Sequence, residues 1–203
     1  MNEPPKPNAP RRILVADDEH LVALGVASSL SAIGCAVVGP VADGHTAIDI
    51  CRADHPDMAL LDIRMPVIDG LACAATLWKE LEIPSVIVSA YSTQNYIDEA
   101  QQAGVFGYLL KPVTTESLRA AVSVAWSRAS AHIWQSKRIS QLEESLAVRR
   151  TVEMAKWKII EVRKVTEPEA HALLQKAARN ERRRLVDVAQ EVMNRPDHPL
   201  LNP

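Results

Sequence analysis

Leu60-Leu61-Asp62-Ile63-Arg64-Met65-Pro66 decides the fold. The apolar run from Met58 to Leu61 leads straight into a carboxylate and then into the chain-breaking Pro66. A continuous apolar run of that length reads as a strand buried on both faces of a parallel sheet. It delivers Asp62 to the strand's C-terminal end, where open α/β sheets place their ligands. A carboxylate there is a nucleophile, a metal ligand or a helix cap.

Three other stretches narrow the choice. Asp17-Asp18 follows Arg12-Ile13-Leu14-Val15, Ser89 follows Val86-Ile87-Val88, and Lys111-Pro112 follows Tyr108-Leu109-Leu110. Strands are expected at about 12–17, 35–39, 58–62, 85–89 and 107–110, with helix-length amphipathic segments between them. Helical faces are suggested by Leu21-Leu24-Ala27-Leu30, Ala47-Ile48-Cys51, Leu71-Ala74-Ala75-Trp78 and Tyr96-Ile97-Ala100. Gly34, Pro56, Pro84 and Gly104 fall where connections are needed. This alternation predicts a doubly wound, five-stranded parallel α/β sheet.

Acids, a hydroxyl and a lysine at one sheet edge suit phosphoryl transfer. Asp17, Asp18 and Asp62 repel one another unless a divalent cation sits among them, and hard oxygen donors open to water favour Mg2+. Taken singly, an Asp after a strand is as readily a helix cap, and a lysine before proline a solvated side chain. Together, residues 11–127 resemble the receiver domain of two-component response regulators. The resemblance implies a flavodoxin-like strand order of 2-1-3-4-5. It implies phosphorylation of Asp62 by a sensor histidine kinase, with the backbone carbonyl of Arg64 completing the metal shell. Lys111 then pairs with the phosphoryl group, while Ser89 and Tyr108 form a switch pair. The bland readings of Ser89 and Tyr108 are a helix cap and a half-buried packing residue. A phosphatase-type hydrolase would favour a second acid two residues after the nucleophile, and Arg64 stands there instead.

Beyond the sheet the composition shifts. Residues 1–127 carry 8 Lys and Arg against 15 Asp and Glu, a net of −7, and residues 128–203 carry 15 against 10, a net of +5. The basic part suggests an acidic partner, with solvated helix faces as the bland alternative. Between Pro112 and Pro168 there is neither Gly nor Pro, so a helix from Thr115 is expected to run past residue 140. Ile139, Leu142 and Leu146 have a/d spacing, read as a coiled-coil seam over 128–149 that makes a homodimer, although Gln135 and Arg149 occupy the flanking positions. A helix folded back on its own bundle shows the same spacing.

Residues 150–195 read as a three-helix domain. The long helix continues through Val152, Ala155 and Ile159. Thr166-Glu167-Pro168-Glu169 is a capping box that opens a second helix. Asn180 is expected to cap a third, with apolar face Leu185, Val188, Ala189, Val192 and Met193. The pattern Val152-Glu153, Ala155-Lys156, Glu169-Ala170, Leu174, Ala178 and Leu185, Val188-Ala189 resembles the ANTAR family. That resemblance implies binding of stem-loop leader RNA and transcription antitermination. Departures are Trp157 for a usual Gly, Gln175 for Arg, and His171 for a large apolar residue. A Trp there stacks on an unpaired base or fills a packing gap. Lys156, Arg149, Arg150, Arg182 and Arg183 lead the candidate phosphate contacts.

Two other outputs stay open: DNA binding by a helix-turn-helix, against which the break at Arg179-Asn180 lacks a turn glycine, and a signalling adaptor that binds only protein. Residues 128–203 hold no nucleophile–base constellation, which argues against an enzyme. Small phosphodonors are the only small-molecule substrates expected. Residues 1–10 and 196–203 read as tails, and no apolar run reaches the ~20 residues of a membrane span. Cys35, Cys51 and Cys73 lack metal-ligand spacing and read as reduced thiols of a cytoplasmic protein.

Overall fold

The computed structural model describes residues 9–90 and 103–202. The helix expected around Tyr96-Ile97-Ala100 lies outside the described residues. Two compact units divide between Trp134 and Gln135.

In the first unit, β1 (Arg12–Ala16), β2 (Ala36–Val41), β3 (Met58–Asp62), β4 (Ser85–Ser89) and β5 (Val105–Leu110) form one sheet ordered β2-β1-β3-β4-β5. All four pairings are parallel. The order expected from the receiver resemblance is the order found. β3 and β4 are buried at every position, as strands covered on both faces must be. Helices α1 (His20–Ala32), α2 (Gly44–Asp54), α3 (Gly70–Leu81) and the start of α4 (Thr115–Arg163) pack on the sheet. Six helices occur among the described residues, and none is long and apolar enough to cross a membrane.

The apolar face expected for α1 needs correction. Leu21 is 83% exposed and Leu24 45%, whereas Ala23, Val26 and Leu30 are buried. Apolar residues lie on every side of this helix, so periodicity offers two stripes; the one fixed by Leu30 and small Ala23 fits against β1 and β3.

The edge strand β5 is covered by an aromatic group. Its pairing with β4 shifts register between Ser85 and Val86, which leaves Phe106 without a partner. A bulge at a sheet edge re-aims side chains and ends open pairing. Phe106 meets Trp78 of α3 edge-on at 4.8 Å between centroids, and His132 of α4 lies 5.6 Å from Trp78. Gly104 precedes the strand at φ +70°, and a Cβ there would overlap the Trp78 side chain.

In the second unit α4 continues to Arg163, followed by α5 (Glu167–Glu181) and α6 (Leu185–Asn194). The Glu169 carboxylate accepts hydrogen bonds from the N–H and Oγ of Thr166, as the capping-box reading predicts. The break before α6 is not at Asn180, which is helical. α5 runs to Glu181, Arg182 adopts the left-handed conformation at φ 54°, and Arg184 is the N-cap residue of α6. Asn180 still has helical hydrogen bonding to gain, and the left-handed cap forms two residues later. The core joins Ala155 and Ile159 to Ala170, Leu174, Val188 and Val192. Leu201 completes it, so the segment read as a tail contributes a buried side chain.

Candidate functional site

The acidic edge is assembled from two strand ends. Asp62 closes β3 and Asp17 follows β1; both are buried, while Asp18 is exposed. The three carboxylates can each bring one oxygen within 4.8 Å of the others, a spacing suited to one metal ion. Oxygen-only donors, one of them facing solvent, fit a hard divalent cation that keeps several waters.

Backbone groups orient these acids. The Arg64 N–H donates to Asp62 Oδ2 at 2.9 Å, and the Glu19 N–H donates to Asp17 Oδ1 at 2.9 Å. Helix α3 docks directly behind Asp62. The Gly70 N–H donates to the Ile63 carbonyl at 2.9 Å, and a Cβ on Gly70 would overlap the Asp62 carbonyl oxygen. Asp69 caps the same helix by accepting from the Ala72 N–H at 2.8 Å. The pair Asp69-Gly70 is therefore part of the site, although sequence reasoning passed over it; the N-cap acid before a helical glycine was the available signal. An open cleft of about 470 Å3, lined by Asp18, Arg64, Met65, Pro66 and Asp69, leads to the acids. Above it Val67 holds φ 68° with its side chain 82% exposed, a left-handed conformation that β-branched residues rarely adopt.

Lys111 reaches in from the end of β5. Its peptide N–H donates to the Ser89 carbonyl at 2.8 Å, which joins it to the end of β4. Its Nζ lies 2.9 Å from Asp17 and 3.1 Å from Asp62. A third carboxylate, Glu19, stands at 3.3 Å and was not foreseen. Burial works against the ammonium, but hydrogen bonds and charge from Asp17 and Asp62 more than offset it, so its pKa is raised. For Asp62, burial dominates over the Lys111 contact and raises the carboxyl pKa. Ser89 is buried at the end of β4, and Tyr108 is half-buried against the core cluster beneath α2 and α3. The structure thus brings together Asp17, Asp18, Asp62 and Lys111, with the Arg64 backbone and Ser89 beside them.

In the second unit the candidate RNA contacts separate into two groups. Arg149, Arg150 and Arg182 are exposed and make no side-chain hydrogen bond or ion pair among the described residues. Lys156 is different. Its side chain is 7% exposed, and its Nζ lies 2.9 Å from Glu153 and 2.6 Å from Glu167. A phosphate would have to displace Glu167 to reach it. Arg183 is likewise held by Glu181 and Glu191, at 3.0 Å and 2.6 Å. Lys158 donates to the carbonyls of Val192 and Met193, closing the end of α6. Trp157 fills no gap, because it is 67% exposed.

Comparison with known proteins accords with this arrangement. Residues 13–123 match the response regulator receiver domain, and residues 140–193 match the ANTAR domain. The transcriptional regulatory protein PdtaR of Mycobacterium tuberculosis is 32% identical over 184 residues, covering 91% of this chain and 90% of that protein. Among solved structures, the signal receiver domain of NarL from Mycobacterium tuberculosis is 36% identical with a TM-score of 0.54. It covers 58% of this chain and 97% of its own. The receiver domain of a modulated diguanylate cyclase from Desulfovibrio desulfuricans is 26% identical, with a TM-score of 0.57, covering 61% and 98%. With a receiver match on one unit and an ANTAR match on the other, the chain belongs to the response regulators that join a receiver domain to an ANTAR domain.

Proposed function

We propose that this regulator accepts a phosphoryl group on Asp62 from a sensor histidine kinase and binds stem-loop leader RNA, as a homodimer, to cause transcription antitermination. The observation that carries the first half is the buried Asp62 carboxylate, flanked by Asp17 and Asp18 and paired with Lys111 at 3.1 Å. An Asp62 carboxylate oxygen attacks phosphorus, the phosphorus–nitrogen bond of a phosphohistidine breaks, and the imidazole leaves with that electron pair. A small phosphodonor substitutes for the kinase in the same step. Mg2+, held by Asp17, Asp18, Asp62 and the Arg64 carbonyl, supplies charge neutralisation when bound.

Lys111 gives the new dianion a compact cation. Ser89 lies at the end of the neighbouring strand, ready to donate a hydrogen bond to it, and Tyr108 turns inward behind Ser89. The domains run over 11–127, 128–149 and 150–195, in a cytoplasmic protein that acts as a regulator rather than an enzyme.

The ANTAR match supports the RNA half. A second reading has specific support: Lys156 and Arg183 are already engaged by carboxylates, as a signalling adaptor that binds protein would allow. Binding to a tandem stem-loop RNA with duplex DNA of equal length as competitor separates the readings. Retention of RNA against excess DNA is expected. Equal binding to both polymers, falling steeply with salt, would reduce the interaction to charge alone and sink the RNA reading.

A further inference from the structure

We infer that the cavity bounded by α5, α6 and the C-terminal segment is a small-molecule site, and that its ligand is a monocarboxylic acid with an apolar body. The segment after α6 folds back on the second unit. The Arg195 N–H donates to the Glu191 carbonyl at 2.8 Å, and the His198 N–H to the Arg195 carbonyl at 3.3 Å. The Leu201 N–H then donates to the His198 carbonyl at 2.8 Å. These turns bury both side chains, leaving Leu201 3% and His198 4% exposed. The space beside them is about 570 Å3, the size of site that holds a small organic molecule.

His198 lines this cavity and brings a polar atom to it that the protein leaves unused. Its Nδ1 accepts the Leu200 N–H at 3.1 Å, so the neutral ring carries its proton on Nε2. Nε2 has no hydrogen-bond partner among the described residues, and it is not sealed off from solvent. A donor on so deeply buried a residue is left incomplete unless an acceptor enters the cavity.

Charge on the lining sets the class of that acceptor. Lys176 is exposed there and makes no hydrogen bond or ion pair among the described residues. Arg183 and Arg195 converge on Glu191 at 2.6 Å and 2.9 Å, and Glu181 holds Arg183 from the other side at 3.0 Å. Three cations against two carboxylates leave the lining one positive charge. Asp197, 3.7 Å from Arg195, is outside the lining and its side chain is 79% exposed. A single charge matches a carboxylate better than a phosphate dianion or a strand with a charge on every nucleotide. Half-buried Leu173, Ala177 and Leu200 give the body of the acid an apolar wall. The donors at His198 and Lys176 are then the groups that take its carboxylate.

The test is calorimetric titration of the full chain with phenylacetate and with hexanoate, each paired with its uncharged amide, and NMR to locate the shifted amides. At least one acid is expected to bind with a dissociation constant below about 1 mM, about tenfold or more tighter than its amide. The shifts should fall on the segment after α6 and the facing turn of α5. Lys176→Gln and His198→Phe are each expected to weaken the acid at least about fivefold, with thermal melts to check the fold. Should His198→Phe loosen the segment, the exposed Lys176→Gln change decides alone. No binding of either acid at about 10 mM would overturn the site. Acid and amide binding alike would overturn the carboxylate, leaving an apolar groove. Adenosine monophosphate binding more tightly than both acids would likewise overturn the monocarboxylate. Displacement of the acid by a stem-loop RNA, with both variants losing RNA affinity in step, would give the cavity to RNA and overturn the small-molecule site. A chain that binds the acid but no RNA retires the RNA reading and leaves the site standing.

Discussion

Lys156 Nζ and Glu167 Oε1 lie 2.6 Å apart, eleven residues apart in sequence and on successive helices. The motif lysine thus holds the start of α5 against α4. Lys156→Gln is expected to lower the unfolding midpoint by a few degrees and to change RNA affinity mainly through that loss. Arg149→Gln and Arg150→Gln, which remove exposed cations that have no side-chain partner among the described residues, are expected to leave the midpoint unchanged. Each should lower the slope of log affinity against log salt by about one if it meets a phosphate. Thermal melts and salt titrations of the three variants decide the matter; a larger slope change for Lys156→Gln than for either arginine would reverse the assignment.

Asp62 carries a carboxyl whose pKa is raised, chiefly by burial. A group with a raised folded pKa contributes stability that is present below its unfolded pKa and lost as pH rises through the folded value. At neutral pH the charged form therefore works against the metal-free fold. Asp62→Asn is expected to raise the midpoint at pH 7 in the presence of a chelator, and the gain should shrink as pH falls toward the carboxyl range. Mg2+ should narrow the gap by stabilising wild type through binding. A variant less stable than wild type at pH 7 without metal would show that the Lys111 pair outweighs burial.

Val67 holds a left-handed backbone with an exposed, β-branched side chain. That conformation costs about 1–2 kcal/mol for a residue with a Cβ. Val67→Gly is expected to add roughly 1 kcal/mol of stability, reduced by the greater freedom of an unfolded glycine. Chemical denaturation reads the change. A loss of stability would mean that the side chain contributes a contact outweighing the strain.

Cys51 and Cys73 have thiol pKa values pushed up to about 12, by burial in both and, for Cys73, also by nearby acidic groups. At pH 8 only about one molecule in ten thousand carries either thiolate. Cys35 is partly exposed, with a smaller rise from burial and Asp57. Iodoacetamide followed by peptide mass spectrometry should label Cys35 first. Equal labelling of all three in folded protein would contradict the buried placement.

What could be read beforehand follows from how local each determinant is. β3 and β4 are buried on both faces, so the apolar runs ending in Asp62 and Ser89 declared both the strands and the edge where they terminate. The capping box at Thr166 is a four-residue signal and stands as read. The burial stripe of α1 was not legible, because Leu21 and Leu24 are as apolar as the Ala23 and Val26 that are buried in their place. The partners of Lys156 and Lys111 were not legible either: Glu167 is brought in by a helix turn and Glu19 by the end of β1, neither of which periodicity specifies. The bulge at Phe106 depends on Trp78 and His132, which lie far from it in sequence.

The central claim is that chemistry at Asp62 controls RNA binding by the second unit. The direct measurement is the affinity of full-length protein for a tandem stem-loop RNA with Mg2+ and beryllofluoride, which mimics the phosphoryl group, against Mg2+ alone. Asp62→Asn serves as the control. Tighter binding with the mimic for wild type, absent in Asp62→Asn, is the predicted result. An Asp62→Asn protein that binds RNA as tightly as the mimic-bound wild type, or a wild type indifferent to the mimic, would contradict phosphorylation control.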